Sequence, residues 1–220
     1  TSTTEISTLS LPDALPIYMQ WNGTSDIWFT SPYLGTQPIF NISLASGSVT
    51  RVTTGNYDMG PLQLRNNVLI AGIQSMARPT EVAKVEMADG RFSMITDVNG
   101  HIYESIKMGK SEERYIKTRD GKDLQMWIIY PPDFDPSKKY PALLYCKGGP
   151  QGPLGQSWSY RWNYQMMAAN GYIVVAVNRR GNSGFGSYWR EQISGDYGGK
   201  NMQDYLDGID AMAKEPFVED

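Results

Sequence analysis

Between Trp21 and Gly109 short apolar runs recur, with apolar and polar residues alternating along them and Gly, Pro, Asn, Asp or Ser between them. A period of two over ~4–8 residues predicts half-buried β-strands. The candidates are "DIWFT", "PIFNISL", "VTRVT", "NVLIAGI", "EVAKVEM" and "FSMIT". Part of this region repeats. Ile39–Asn56 aligns without gaps on Val82–Asn99 at a constant offset of 43 positions. Ile42 falls on Val85, Leu44 on Met87, Gly47 on Gly90, Val52 on Ile95 and Thr53 on Thr96. In each copy "ASG" or "ADG" reads as a hairpin turn. Blades of a β-propeller repeat every ~40–50 residues, four strands to a blade. The pattern therefore predicts about two propeller blades over residues 18–110, a β-sandwich or another repeat array being the alternative.

After Lys110 the period changes. "RYIKTRDGKDLQMWIIYPP" predicts two antiparallel strands joined at Asp120-Gly121, and "YPALLYC" and "YIVVAV" read as strands covered on both faces. Trp158, Trp162, Met166 and Ala169 share one helical face, with Gly171 placed to end that helix; Met202, Leu206, Ile209 and Ala213 share another, stopping at Pro216. Strand, helix, strand, helix predicts a parallel sheet with crossover helices over residues 111–220. Between the first of these strands and its helix lies "CKGGPQGPLG", rich in residues that permit unusual backbone shapes and close approach. The first 17 residues, "TSTTEISTLSLPDALPI", fit neither pattern and resemble an in-frame translation of sequencing-adaptor DNA. They read as a non-native or disordered segment.

Composition narrows the chemistry. Of 220 residues 40% are hydrophobic and 20% charged, an ordinary globular balance, and the net charge of −3 offers no basic face to nucleic acid. No apolar run reaches the ~18 residues of a membrane span. The one cysteine, Cys146, excludes an internal disulfide and reads as a small core residue of its strand. The one histidine, His101, follows an Asn-Gly signal and reads as a half-exposed hairpin residue. A His-rich metal site is excluded by that count, and no cofactor is expected.

In order along the chain, "KTRDGKDLQMWIIYPPDFDPSKKYPALLYCKGGPQG", "NRRGNSGFG" and "DYGGKNMQDYLDGID" resemble motifs of the prolyl oligopeptidase family of serine peptidases, in the branch that holds acylaminoacyl peptidases and bacterial dipeptidyl peptidases. The resemblance implies β-propeller blades followed by the N-terminal half of an α/β-hydrolase, a mostly parallel sheet with crossover helices. It implies an exopeptidase that cleaves short peptides through an acyl-enzyme, with a peptide as its partner and neither metal nor organic cofactor. The family's nucleophile sits in G-x-S-x-G, followed by Asp and then His. No G-x-S-x-G occurs here, since Ser183 in "GNSGFG" is wrongly spaced and Ser157 and Ser159 fit no elbow. The resemblance thus predicts an internal fragment, inactive alone, whose catalytic Ser, Asp and His fall after Asp220. What the chain itself would contribute is the oxyanion loop, Lys147, Gly148 and Gly149, with either the Lys147 ammonium or the Gly148 N–H as donor. Arg180, the family's single arginine, is a substrate-carboxylate ligand or an ion-pair partner of Asp196 or Asp204; Trp158 lines the gap between domains, and Asn178 forms a turn. An esterase or lipase fused to a β domain, or a non-enzymatic interaction module, are the rival functions. Compartment, periplasmic or cytoplasmic, stays open, as does oligomeric state.

Overall fold

The computed structural model describes residues 16–149 and 151–219. Of the segment that reads as non-native or disordered, residues 1–15 lie outside this range. The alternating segment builds two four-stranded antiparallel meanders. The first runs β1 (Ile17–Asn22), β2 (Asp26–Thr30), β3 (Ile39–Ser43) and β4 (Val49–Arg51) in sequence order. The second runs β5 (Asp58–Arg65), β6 (Val68–Ser75), β7 (Arg78–Val85) and β8 (Phe92–Met94) in the same way. The six runs read from the sequence are all strands. Two further strands were not anticipated. β1 is largely exposed and lacks a buried alternation, and it begins at Ile17, inside the segment set aside above. β5 contains Pro61, a residue that argues against a central strand; here it sits where the register shifts between Met59 and Leu62.

The 43-residue repeat survives as geometry. Gly47 and Gly90 take φ of 70° and 71° at the two hairpin tips, a conformation that favours glycine. The Thr53 hydroxyl accepts from the Ile39 N–H at 2.8 Å, and the Thr96 hydroxyl accepts from the Val82 N–H at 2.9 Å. Trp28 and Ile39 from the first sheet pack with Met59, Leu69 and Ala83 from the second in one core. His101 lies on the one-turn helix α1 (Gly100–Tyr103) and is exposed, so the hairpin expected there is replaced by a helical turn.

The remaining residues form a third sheet from β9 (Ser111–Lys117), β10 (Asp123–Ile129), β11 (Ala142–Tyr145) and β12 (Ile173–Val177), in the order β11-β12-β10-β9. β11 and β12 are parallel, whereas β12 with β10 and β10 with β9 are antiparallel. The expectation of a mostly parallel sheet is corrected accordingly: one of these three described pairings is parallel, because a hairpin enters the sheet and its second strand pairs β12 head to tail. Three helices accompany the sheet, α2 (Tyr164–Ala169), α3 (Ser187–Glu191) and α4 (Lys200–Met212). Leu124, Met126 and Ile128 of β10 pack with Tyr205 and Met212 of α4, while Trp127 and Ile129 pack with Ala168 of α2. Helices thus cover both faces, and β12 is fully buried.

Two helix expectations are corrected. α2 starts at Tyr164, where Asn163 caps it by accepting from the N–H groups of Gln165 and Met166 at 2.8 and 3.3 Å. Trp158 and Trp162 therefore precede the helix, and Trp162 is 55% exposed rather than packed on the sheet. α4 buries Asn201, Asp204, Tyr205, Gly208 and Met212, and leaves Met202 and Leu206 exposed. The inward face is polar because charged groups of the loops meet it, and because Gly208 admits the Val177 side chain. α3, unpredicted, is a short turn ended by no strong signal.

Candidate functional site

β11 and β12 run side by side in the same direction, so the loops that follow them emerge at one rim of the sheet. The loop after β11 carries the glycine-rich stretch, and the loop after β12 carries Asn178, Arg179 and Arg180. Asn178 clasps the two together. Its side-chain carbonyl accepts from the Leu154 N–H at 2.7 Å, and its amide donates to the Leu154 carbonyl at 2.9 Å and to Gln125 Oε1 at 2.6 Å. It is fully buried, a clasp rather than the turn-former expected at a strand end.

Arg179 ties down the glycines. Its guanidinium donates to the Gly149 carbonyl at 3.2 Å and to the Tyr205 hydroxyl at 3.1 Å, and that hydroxyl donates in turn to the Lys147 carbonyl at 3.1 Å. The carbonyls at both ends of Lys147–Gly149 are thereby held, one by Tyr205 of α4 and the other by Arg179 of the loop after β12. Gly148 and Gly149 are exposed, with nothing within 4 Å of where a Cβ would stand. The Lys147 side chain is directed away from them: its ammonium donates to the Pro153 carbonyl, inside the same loop. Burial lowers its pKa below the ordinary lysine range, against the pull of Asp58.

Arg180 is braced, not open. One guanidinium nitrogen donates to Asp120 Oδ2 at 2.8 Å, a second also meets the Asp120 carboxylate, and Nε lies 3.2 Å from Asp204 Oδ1. Its plane covers Trp189 at 5.4 Å, and its side chain is 3% exposed. Of the two readings open for Arg180, the structure displays the ion pair, with Asp120 and Asp204. Asp196 instead accepts from the Lys200 N–H. The Arg180 guanidinium holds the Asp120 carboxyl far below the usual range, while burial pushes Asp204 up to about 6 against the opposing pull of Arg180.

A cavity of about 500 Å³ lies beneath the loop, lined by Thr36, Gln37 and Asp58 from the β-sheet half and by Lys147, Pro153 and Gly155 from the rim. Asp58 opens β5 and is buried there. Burial pushes its carboxyl up to about 6, against the N–H groups of Gln156 and Gln37 and the charge of Lys147. Other bonds join the same two halves. The Trp127 indole donates to the Gly35 carbonyl at 3.2 Å, the Leu34 N–H to the Gly184 carbonyl at 3.0 Å, and the Trp158 N–H to Gln74 Oε1 at 3.0 Å. Trp158 stands edge-on to Tyr103 and Tyr160, both at 5.9 Å between centroids. Cys146 is exposed, one residue past the end of β11, which corrects its expected place in the core. Desolvation raises its thiol pKa, which disfavours the thiolate needed for nucleophilic attack.

The rim brings together Lys147, Gly148 and Gly149 with Arg179, Asn178 and Tyr205. Arg180 faces away from the glycines, toward Asp120. Sequence reading missed Asp58, Asp120 and Tyr205. Asp58 carries no motif, Asp120 reads only as a turn residue, and Tyr205 lies outside the apolar stripe of Met202, Leu206, Ile209 and Ala213.

The chain is similar to known proteins over most of its length. Residues 158–220 match the model of the prolyl oligopeptidase family. Dipeptidyl-peptidase 5 of Porphyromonas gingivalis is 43% identical over 202 residues, which is 91% of this chain and 30% of that protein. Among solved structures, acylaminoacyl peptidase of Pyrococcus horikoshii superposes with a TM-score of 0.81 at 25% identity, over 94% of this chain and 32% of its own. Dipeptidyl peptidase 4 of Porphyromonas gingivalis shares the fold at a TM-score of 0.76 and 22% identity, over 96% of this chain and 31% of its own. The chain spans about a third of the length of each. Over residues 158–220 the chain is thus similar to the prolyl oligopeptidase family, and the relatives extend the likeness to nearly the whole of the described residues.

Proposed function

We propose that this chain is part of a serine exopeptidase that cleaves short peptides through an acyl-enzyme. The two meanders, residues 18–110, are blades of a β-propeller, and residues 111–220 are the N-terminal portion of an α/β-hydrolase. The names of the relatives support a peptidase, and the 43-residue geometric repeat supports the blades. The attacking serine, with its Asp and His, belongs to the whole enzyme and not to these 220 residues, which contain no G-x-S-x-G.

The observation that carries the reading is the loop after β11. In α/β-hydrolases the oxyanion hole takes one N–H from the residue after the nucleophile and another from the loop after the third strand. Lys147–Gly149 emerges at the carboxyl end of a parallel strand, its outer carbonyls are tied back by Arg179 and Tyr205, and Gly148 is open. The Gly148 N–H is the donor. The Lys147 ammonium is occupied on Pro153 and does not compete. As the substrate carbonyl becomes tetrahedral its oxygen gains charge, and an N–H already aimed there stabilises that charge without rearrangement. Arg180 acts as a brace of the rim, and Trp158 with Tyr103 and Tyr160 walls the passage between propeller and hydrolase.

Gly148→Pro in the full-length enzyme removes this N–H. A fall in kcat of about a hundredfold with little change in KM is expected. Unchanged kcat removes the oxyanion role. Assayed on aminoacyl-dipeptide and simple ester reporters, the enzyme is expected to turn over the peptides; ester-only turnover favours an esterase instead.

A further inference from the structure

The cavity under the rim loop holds a carboxylate that stability alone does not explain. Asp58 is 9% exposed, and its Oδ1 has no hydrogen-bond partner. The loop is nonetheless pressed onto it: a Cβ at Gly155 would stand 2.7 Å from Asp58 Oδ2, so no other side chain fits there. Lys147 lines the same cavity. Its ammonium bonds the Pro153 carbonyl, and a Cβ at Gly152 would lie 3.4 Å from its Nζ, so the loop wraps around it. Asp58 is the one acid among the residues lining this cavity. The other ionisable groups around it are Tyr164 of α2, which feels the Asp58 charge, and Arg190 of α3, which also lines the cavity.

We propose that Asp58 is a positioning residue for the peptidase reaction: from the propeller side it holds the Lys147 side chain down in the cavity, which keeps the Lys147–Gly149 backbone turned with its open amide toward the reacting carbonyl. This rests on the oxyanion reading of that loop. A half-buried ammonium is favoured by an opposite charge nearby, and Asp58 is the one acid lining this cavity with it. Without Asp58 the side chain leaves for water. The Gly148 N–H shares one planar peptide with the Lys147 carbonyl that Tyr205 holds, so departure of the side chain shifts the Lys147 Cα, loosens that bond and tilts the N–H with it.

The test uses the full-length enzyme with Asp58→Asn, Lys147→Met and the pair together, each checked for an unimpaired melting temperature. Each single variant is expected to lose about tenfold in kcat with KM within about twofold, since a small misplacement of a donor acts on the chemical step. The double variant is expected to lose no more than either single one, and Asp58→Glu to recover part of the loss. In the folded enzyme, reductive methylation of Lys147 followed by mass spectrometry is expected to speed up several-fold in Asp58→Asn, because the amine reaches solvent. An unchanged kcat in Asp58→Asn, losses that multiply in the double variant, or unchanged methylation overturns the proposal. A wild-type enzyme that turns over no peptide overturns the peptidase reading instead, and the methylation rate then still reports whether Asp58 restrains Lys147.

Discussion

Every polar atom of the Asn178 side chain is engaged, and besides Asn182 its partners lie 24 and 53 positions away along the chain. Asn178→Ala leaves the buried Leu154 N–H without its acceptor, and a loss of about 2 kcal/mol in urea unfolding is expected. Separation along the chain is also why the clasp was illegible: an Asn at a strand end announces a turn, and nothing local announces Leu154 or Gln125. Asp58 makes a prediction of opposite sign. Its folded pKa, about 6, lies above the unfolded value of ~3.9, so the folded state takes up a proton that the unfolded chain does not. Its ionised form therefore weakens the fold above pH 6, and that penalty is relieved as the pH falls from about 7 toward 4. Asp204 acts in the same window. Asp58→Asn is expected to raise stability at pH 8 by about 1–3 kcal/mol and to flatten part of this slope, as measured by denaturant unfolding across pH. Asp120, held low by Arg180, behaves conversely and supports the fold until the pH drops below the ordinary carboxylate range.

Among elements, the strands with clean alternation were legible because one face of each is buried. β5 was hidden by its proline, and β1 by its exposure. α4 was found but turned the wrong way. Its apolar stripe through Met202 and Leu206 is exposed, while Asp204 and Asp207 face inward to meet Arg180 and Arg119. A hydrophobic pattern cannot anticipate a face recruited by loop arginines. The contrast is measurable. Leu206→Ser is expected to change stability by no more than about 0.5 kcal/mol, whereas Gly208→Ala, whose Cβ would stand 2.5 Å from Val177 Cγ2, is expected to cost about 1–3 kcal/mol. α2 depends on its cap, so Asn163→Ala should cost about 1 kcal/mol by thermal unfolding.

At the scale of the molecule, the repeat was legible because hairpin turns and threonine hooks are local devices, while the junction between the two halves was not. It depends on single bonds such as Trp127 to Gly35 and on one acid at the start of β5, none of which has a pattern. Within the described residues β11 pairs only with β12, and all four of its side chains are half-exposed. The 220-residue chain expressed alone is therefore expected to self-associate at micromolar concentration, as followed by light scattering; a monodisperse monomer contradicts this. The paired threonines have a consequence for how the molecule can vary. Thr53 reaches Ile39 and Thr96 reaches Val82 across the same stretch of fourteen positions. These two matched spans work as rulers. An extra residue within a strand would slide the hydroxyl off its mark and turn the strand inside out, so growth of the chain in this region is confined to the tips at Gly47 and Gly90.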